Sequence, residues 1–221
     1  MKLYSGPLSM FGAKAEIAAR EKGLAFELIM VPFEMKTLYQ PKHPEVVRIN
    51  PKRQVPVLID GDLEIFDSTQ IFEYLESIKP DPALWPAEPK ARARARLLEH
   101  KSDEVYFPPI IRLMGLQATP DDPAAVEARA AALSFYDGME KAMGDKQWLA
   151  GSYSYADIAF YMAQIFGDRM GAPMTDAHPK LQAWRDRMSA RPPVRQVAGA
   201  MGRYLLSQGR KLPAFLAKLS A

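Results

Sequence analysis

The chain of 221 residues contains no cysteine. This absence excludes disulfides, thiolate metal ligands and cysteine nucleophiles, so any sulfur chemistry would need a thiol brought by a ligand. It also fits the cytoplasmic location that we expect. Histidine is scarce too, and His43, His100 and His178 are too scattered in the sequence to suggest a metal site. We therefore expect no metal.

Long apolar runs are missing as well. No stretch reaches the roughly 18 apolar residues of a membrane-spanning helix. The opening residues MKLYSGPLSMFG lack the apolar centre of a signal peptide. The net charge of +3 is too small to indicate nucleic-acid binding, although it mildly favours anionic ligands. We expect neither a membrane nor a nucleic acid as partner.

Residues 1–78 alternate between strand-like and helix-like segments. The predicted elements are a strand at 2–4, a helix at 13–22, a strand at 26–31, a short helix within 33–48, a hairpin of 55–59 and 63–66, and a helix at 68–78. Gly23 follows the first helix where a C-terminal cap favours glycine. The order βαβαββα predicts an α/β domain.

The second part of the chain contains no good strand. Residues 79–89 hold four prolines in eleven positions, which predicts a linker. Residues 90–221 then form a predicted all-helical domain. Its helices are expected at 90–116, with a bend or break at Pro108-Pro109, and at 123–143, 154–166, 179–190 and 194–207. The tail from Gln208 onward is left unassigned.

Ser9 stands between the first strand and the first helix, in the sequence Ser9-Met10-Phe11-Gly12. Serine is a common helix N-cap, which gives a purely structural interpretation. The functional alternative is that its hydroxyl and the helix N-terminus act together on a ligand thiol, because helix N-termini stabilise thiolates. Both interpretations use the same geometry and stay open at this point.

Residues 50–75 hold two further candidates. Val55-Pro56 is either an ordinary trans bond at a strand start or a cis bond that leaves the strand edge open to an extended peptide. Its combination with Ser9 and with the element order favours cis. Asp67-Ser68 opens a helix, so it either caps that helix or holds the charged end of a ligand. Together these features suggest a site for a small anionic peptide.

The pattern Ser154-Tyr155-Ala156-Asp157 precedes an apolar run and matches a capping box. We interpret it as structural, as the start of the core helix in the second domain.

These motifs together resemble the glutathione S-transferase family over the whole chain. The residues that carry the resemblance are SMFG at 9–12, NPKRQVPVL at 50–58, DSTQIFEYL at 67–75 and YSYADI at 153–158. The N-terminal motif looks most like that of bacterial and plant tau-like members that use a serine. The resemblance implies a thioredoxin-like domain at 1–78, a linker at 79–89 and an all-α domain at 90–221. It also implies a homodimer.

The resemblance also implies roles in binding glutathione, the co-substrate. Ser9 would stabilise the glutathione thiolate as the catalytic residue. Val55 would pair its backbone with the cysteinyl part, beside cis-Pro56. The polar ends would be held by Gln54, Asp67 and Ser68 on the γ-glutamyl side and by Lys42, helped by Arg53, on the glycine side.

A pocket for a hydrophobic electrophile is expected between the domains. Its candidates are Phe11, Phe33, Tyr106, Phe107, Ile110, Met114, Phe166 and Tyr204, each of which has core packing as its alternative. The implied activity is glutathione transfer to hydrophobic electrophiles, a detoxification chemistry. Two alternatives remain: a protein of the same fold that binds glutathione or apolar ligands without turnover, and a specialised glutathione-dependent lyase or dehalogenase.

Overall fold

The computed structural model describes residues 1–220. Along the chain the elements are β1 Lys2–Ser5, α1 Met10–Glu21, β2 Glu27–Met30, α2 Pro44–Ile49, β3 Val57–Asp60, β4 Leu63–Phe66, α3 Ser68–Ile78, α4 Pro89–Lys101, a π-helical turn Ser102–Tyr106, α5 Phe107–Gly115, α6 Pro123–Met143, α7 Tyr155–Arg169, α8 Pro179–Ala190, α9 Pro192–Ser207 and α10 Ala214–Ser220. They form two compact units. The first comprises residues 1–84 with the segment that begins at Pro192, and the second is Trp85–Arg191.

The first unit is built on a four-stranded sheet of order β2-β1-β3-β4. β1 and β2 are parallel, whereas β3 is antiparallel to both β1 and β4. The predicted order βαβαββα and the predicted hairpin are confirmed. Because of these directions, the segments after β1, β2 and β4 and the segment before β3 all leave the sheet at the same end.

The C-terminal helices belong to the first unit. α9 packs on α1, and α10 packs on α9. A Cβ at Gly202 would overlap the Ser220 hydroxyl, and one at Gly199 would overlap the Leu219 carbonyl. These glycines therefore let α10 lie close against α9. The predicted helical domain over 90–221 thus differs from the observed division, because contacts made by residues beyond 191 bring them to the sheet domain.

The predicted linker is anchored at its start by Lys22, whose side chain is fully buried at the end of α1. The ammonium group donates to the carbonyls of Lys79 at 2.7 Å and Pro82 at 3.0 Å. It also pairs with the Glu76 carboxylate at 2.5 Å. Residues 79–82 are therefore fastened to the first unit, and the boundary between the units falls only after Leu84.

The second unit contains α4 to α8. The predicted break near Pro108-Pro109 is present, but it lies in the turn Ser102–Tyr106 just before these prolines. The reason is that a proline cannot donate to the carbonyl four residues earlier. Pro108 and Pro109 thus leave the carbonyls of Glu104 and Val105 without their usual helical donors. Glu104 and Val105 both lie in the π-helical turn.

α7 forms the centre of the second unit and is buried along most of its length. The predicted capping box at its start is confirmed, with the Ser154 N–H donating to Asp157 Oδ2 at 2.9 Å. Asp157 also accepts from the Leu149 N–H and the Trp184 indole N–H, both at 2.9 Å. Burial raises the pKa of Asp157 to about 6, although these hydrogen bonds act to lower it.

Candidate functional site

Ser9 is the N-cap of α1. The Gly12 N–H donates to Ser9 Oγ at 3.0 Å, which confirms the capping interpretation. A serine hydroxyl is one donor and two acceptors, so its hydrogen can still be donated to a group in front of the helix. The first turn of α1 contains no acidic residue. The positive end of the helix dipole is therefore not neutralised from within that turn.

The turn before Ser9 depends on a glycine. The Ser9 N–H donates to the Gly6 carbonyl at 3.0 Å. The Tyr39 ring occupies the space that a Cβ at Gly6 would need. Tyr39 thus lies against the turn that positions Ser9. Tyr39 was not among the predicted site residues, since no local pattern indicates that its ring contacts a turn more than 30 residues earlier.

Asn50 shapes the loop that leads to Val55. Its buried side chain donates to the Gln54 carbonyl at 2.6 Å and accepts from the Lys52 N–H at 2.9 Å. The Arg53 N–H donates to the Asn50 carbonyl at 2.7 Å, and Arg53 has a left-handed φ of 56°. Asn50 was not among the predicted site residues. The signal for it is that asparagine often binds the backbone of the turn it begins.

The Val55-Pro56 peptide bond is cis, as the combined motifs predicted. Paired strand residues begin only at Val57, which lies opposite Tyr4 on β1 and Phe66 on β4. Val55 therefore precedes the ladder, and its backbone groups lie beyond the hydrogen bonding of the sheet.

Asp67 is the N-cap of α3. Its carboxylate accepts from the Thr69 N–H at 3.0 Å and the Gln70 N–H at 3.3 Å. Its φ of 77° is unusual for a residue other than glycine, although aspartate is one of the residues that tolerate it. Asp67 is exposed, whereas Ser68 is buried. The helix-start interpretation is confirmed, and the role of both residues in binding a ligand stays a prediction.

The basic and polar candidates differ in exposure. Gln54 and Arg53 are exposed on the loop before β3. Lys42 is half-buried, with its ammonium nitrogen 5.9 Å from the centre of the Tyr39 ring. Tyr39 and Val55 both pack against one buried cluster of the sheet.

The sheet register brings these segments to one place. Ser5 at the end of β1 lies opposite Met30 at the end of β2, and Tyr4 lies opposite Val57. The turn to Ser9, the segment with Lys42, the loop with Val55, and the Asp67-Ser68 helix start therefore emerge from the same end of the sheet. The arrangement offers a helix N-terminus, an open backbone edge and charges of both signs, which suits a small charged peptide.

Three of the predicted pocket residues lie in the first unit. Phe11 is half-buried on α1, with the Lys14 ammonium 5.5 Å from its ring centre. Phe33 and Tyr204 are half-buried and lie edge-on, 6.0 Å apart. The Tyr204 hydroxyl donates to the Phe33 carbonyl at 2.9 Å.

The five others lie in the second unit and differ strongly in burial. Tyr106 and Ile110 are fully buried, and the Tyr106 hydroxyl is hydrogen-bonded to that of Tyr136. Burial raises the pKa of Tyr106 well above its ordinary value. For these two residues the structure favours the core-packing alternative, because neither side chain offers surface to a ligand.

The remaining three keep some surface or border on it. Phe107 is 6% exposed, and its ring lies edge-on to Phe166 at 5.7 Å. Phe166 is half-buried beneath the guanidinium of Arg169, 4.8 Å from the ring centre. Met114 is 41% exposed. These three stay candidates for contact with an apolar ligand.

Residues 1–220 contain no group of three or more histidine and acidic side chains that could hold a metal ion. Within the same residues, no helix is long and apolar enough to cross a membrane.

The sheet and helices of the first unit form a thioredoxin-like domain, and a helical region follows it. Comparison with known families agrees with this class. Residues 3–83 match the family described as "Glutathione S-transferase, N-terminal domain", and residues 103–192 match "Glutathione S-transferase, C-terminal domain". The chain belongs to the glutathione S-transferase family.

Individual relatives extend this result. The chain is 30% identical to Glutathione S-transferase 3 of Zea mays over 212 residues, which cover 91% of this chain and 94% of the relative. It is similar in structure to a glutathione S-transferase from Rhodospirillum rubrum F11, with a TM-score of 0.80, 25% identity, and coverage of 100% and 99% of the two chains.

Another relative carries a different name. The chain is 35% identical to a Stringent starvation protein A homolog of Coxiella burnetii over 109 residues. That match covers 48% of each chain, so it spans about half the length of this relative.

Proposed function

We propose that this protein is a glutathione transferase that joins glutathione to hydrophobic electrophiles, with Ser9 stabilising the thiolate. The observation that carries the proposal is the hydrogen bonding of the Ser9 hydroxyl. It accepts from the Gly12 N–H at 3.0 Å, so its own hydrogen can still be donated to a ligand in front of the helix. Capping and catalysis are then compatible roles of one side chain.

The energy of such a hydrogen bond is sufficient to lower the thiol pKa to near neutrality. A free thiol has a pKa of about 8.5. A hydrogen bond to a charged group contributes about 1.5–3 kcal/mol, which corresponds to roughly one to two pKa units. Ser9 and the helix N-terminus together can therefore bring the thiol pKa to near or below neutrality. The serine hydroxyl acts as donor only, since it is too weak a base to take the proton itself.

The rest of glutathione would be held by the segments at the same end of the sheet. The backbone of Val55 beside Pro56 binds the cysteinyl part. Asp67, Ser68 and Gln54 bind the γ-glutamyl end. The half-buried Lys42, with Arg53 near the loop entrance, binds the glycine carboxylate.

In the reaction, the thiolate sulfur attacks an electrophilic carbon and forms a carbon–sulfur bond. With an aryl halide, the halide leaves with the bonding electrons. With an epoxide, a carbon–oxygen bond breaks and the oxygen takes a proton from solvent. The enzyme contributes the activated nucleophile and the proximity of the two reactants. In the first unit, Phe11, Phe33 and Tyr204 are the proposed contacts of the apolar acceptor. For Phe107, Met114 and Phe166 in the second unit, contact with an apolar ligand stays a prediction.

The decisive experiment is a pH titration of the thiolate absorbance of bound glutathione. The wild-type protein should lower the thiol pKa, and Ser9→Ala should raise it by about one to two pH units. Ser77→Ala is the matched control, because Ser77 is an exposed helical serine whose hydroxyl bonds only its own helix at the Glu73 carbonyl. Binding with no difference between wild type and Ser9→Ala would remove the thiolate role from Ser9.

A second function is binding of glutathione or apolar ligands without turnover. The similarity to a Stringent starvation protein A homolog supports it, because that relative is not named as a transferase. The donor hydroxyl of Ser9 favours the transferase, because a protein that only binds ligands does not need it. Transfer rates with a panel of aryl halides and epoxides separate the two functions, and tight binding with no transfer to any of them would favour the binder.

The proposal also includes a cytoplasmic homodimer. Light scattering of the purified protein at micromolar concentration tests the assembly. A mass near that of one chain, 24.7 kDa, would contradict it.

A further inference from the structure

Tyr204 connects the C-terminal segment to the loop between β2 and α2. Its hydroxyl donates to the Phe33 carbonyl across 171 residues of sequence. The rings of the two residues also meet edge-on. Since α9 packs on α1, Tyr204 is held by the same part of the unit that carries Ser9.

The loop concerned, which we call the 33–42 segment, contains little regular structure. Its own backbone bonds include one pair between Glu34 and Leu38, at 2.9 and 2.6 Å. Leu38 has a left-handed φ of 57°. Most of its side chains are exposed or only partly buried. Segments of this kind open at a low free-energy cost, so contacts from outside decide where they lie.

Tyr39 supplies the inward contact. Its ring packs against the buried cluster of the sheet and lies against Gly6. It also meets the Phe33 ring edge-on at 4.6 Å. Tyr204 holds the far end of the segment through Phe33. The segment is thus fixed between Tyr39 on the sheet side and Tyr204 on the α9 side.

Lys42 lies at the end of this series of contacts. Its ammonium group approaches the Tyr39 ring, and it forms no ion pair with any residue of the described range 1–220. A half-buried cation without a carboxylate from its own chain is suited to receive one from a ligand. Lys42 thus contacts Tyr39, Tyr39 contacts Phe33, and Phe33 accepts from Tyr204.

We infer that Tyr204 is a positioning residue for glutathione: its bond to the Phe33 carbonyl orders the 33–42 segment and so places Lys42 for the glycine carboxylate. The inference rests on the proposed function and adds a residue of α9 to the binding machinery. It assigns the Tyr204 hydroxyl to the loop, whereas the Tyr204 ring remains a proposed wall for the apolar acceptor.

The test compares two ligands by calorimetry: glutathione, and γ-glutamylcysteine, which lacks the glycine carboxylate. Tyr204→Phe removes only the hydroxyl and should weaken glutathione binding about two- to tenfold, the usual net effect of one hydrogen bond. Binding of γ-glutamylcysteine should not change, because that ligand does not use Lys42.

Tyr74→Phe is the matched control. Its hydroxyl donates to Asp60 Oδ2 at 2.7 Å, also in the first unit but on α3 and β3. This variant should bind both ligands as the wild type does. The second control is a double-mutant cycle with Lys42→Met, in which Tyr204→Phe should add no further loss because both substitutions remove the same interaction.

The outcomes separate the two proposals. If the wild type prefers glutathione to γ-glutamylcysteine and Tyr204→Phe leaves both affinities unchanged, the inference fails and the proposed function stands. Equal weakening of both ligands, or a full further loss in the Lys42→Met background, also overturns the inference. If the wild type binds neither ligand, the proposed function fails and the inference fails with it.

Discussion

The helices α1 and α7 both begin with a serine at the N-cap, but their first turns differ. In α7 the donors converge on an acid of the same turn: Asp157 accepts from Ser154 N–H at 2.9 Å and from Ser154 Oγ at 3.1 Å. Ser154 and Asp157 are both fully buried. In α1 no acid is present in the first turn, and Ser9 is half-buried.

The difference shows how one residue type serves two purposes. A helix N-terminus offers N–H donors and a positive dipole end, and these attract a negative charge. In α7 the chain supplies that charge itself and uses the helix start to organise a core. In α1 the first turn supplies none, so the helix start is suited to an external anion such as a thiolate.

The largest effect on stability is expected at the start of α7. Asp157→Ala should lower the free energy of unfolding by about 3–5 kcal/mol, because four buried donors lose their acceptor. Urea denaturation measures the loss. Asp145→Ala is the control, as Asp145 is exposed in the turn after α6. An unchanged urea midpoint for Asp157→Ala would refute the structural role of Asp157. The pKa of the bound glutathione thiol should be the same in this variant as in the wild type.

Asp157 should also make the free energy of unfolding depend on pH. The pKa of Asp157 is raised from 3.8 to about 6 by burial. A raised folded pKa means that its contribution to stability is fully present below about pH 4 and is lost as the pH rises through about 6. The expected loss is at most about 3 kcal/mol, because each pH unit between the unfolded and folded pKa corresponds to about 1.4 kcal/mol.

This pH dependence can be isolated with Asp157→Asn, which does not ionise. The free energy of unfolding of wild type minus that of the variant should decrease between pH 4 and pH 7. A difference that stays constant over this range would show that Asp157 does not titrate there.

The start of α1 is tested by two substitutions of Ser9 that separate helix capping from stabilisation of the thiolate. Ser9→Ala and Ser9→Gly both remove the hydroxyl, so both should lower kcat/KM by about 10- to 150-fold. Only alanine should cost appreciable stability, about 0.5–2 kcal/mol against a few tenths for glycine. If Ser9→Gly kept full activity while Ser9→Ala lost it, the hydroxyl would be a cap and nothing more.

The smallest effect is expected at the exposed start of α3. Asp67→Asn keeps the cap and tolerates the left-handed φ, so the free energy of unfolding should change by less than about 0.5 kcal/mol. The dissociation constant for glutathione should rise about tenfold, because a charge-assisted hydrogen bond is lost. Asp122→Asn is the control, since Asp122 caps α6 in the same way. Equal affinities in both variants would remove Asp67 from the site.

Features carried by neighbouring residues were predictable. The cap at Ser9, the hairpin around Gly61 and the capping box at Ser154 each depend on hydrogen bonds or turns within a few residues, so local residue types indicate them. The contact of Tyr39 with Gly6 and the burial of Tyr106 were not predictable in this way. Both depend on which distant surface a ring meets, and an aromatic residue suits a pocket wall and a core equally well.

The sequence by itself determined the order of elements, the helix starts and the segments that carry the candidate site, because periodicity, caps and turns are short-range properties of the chain. Only the tertiary structure decided that α9 and α10 join the sheet domain, that Asn50 organises the loop before Val55, and that Tyr204 bonds to Phe33. The glycines at 199 and 202 permitted that packing, but no local pattern names the surface they would meet. Contacts between residues far apart in the chain follow from the packing of whole elements.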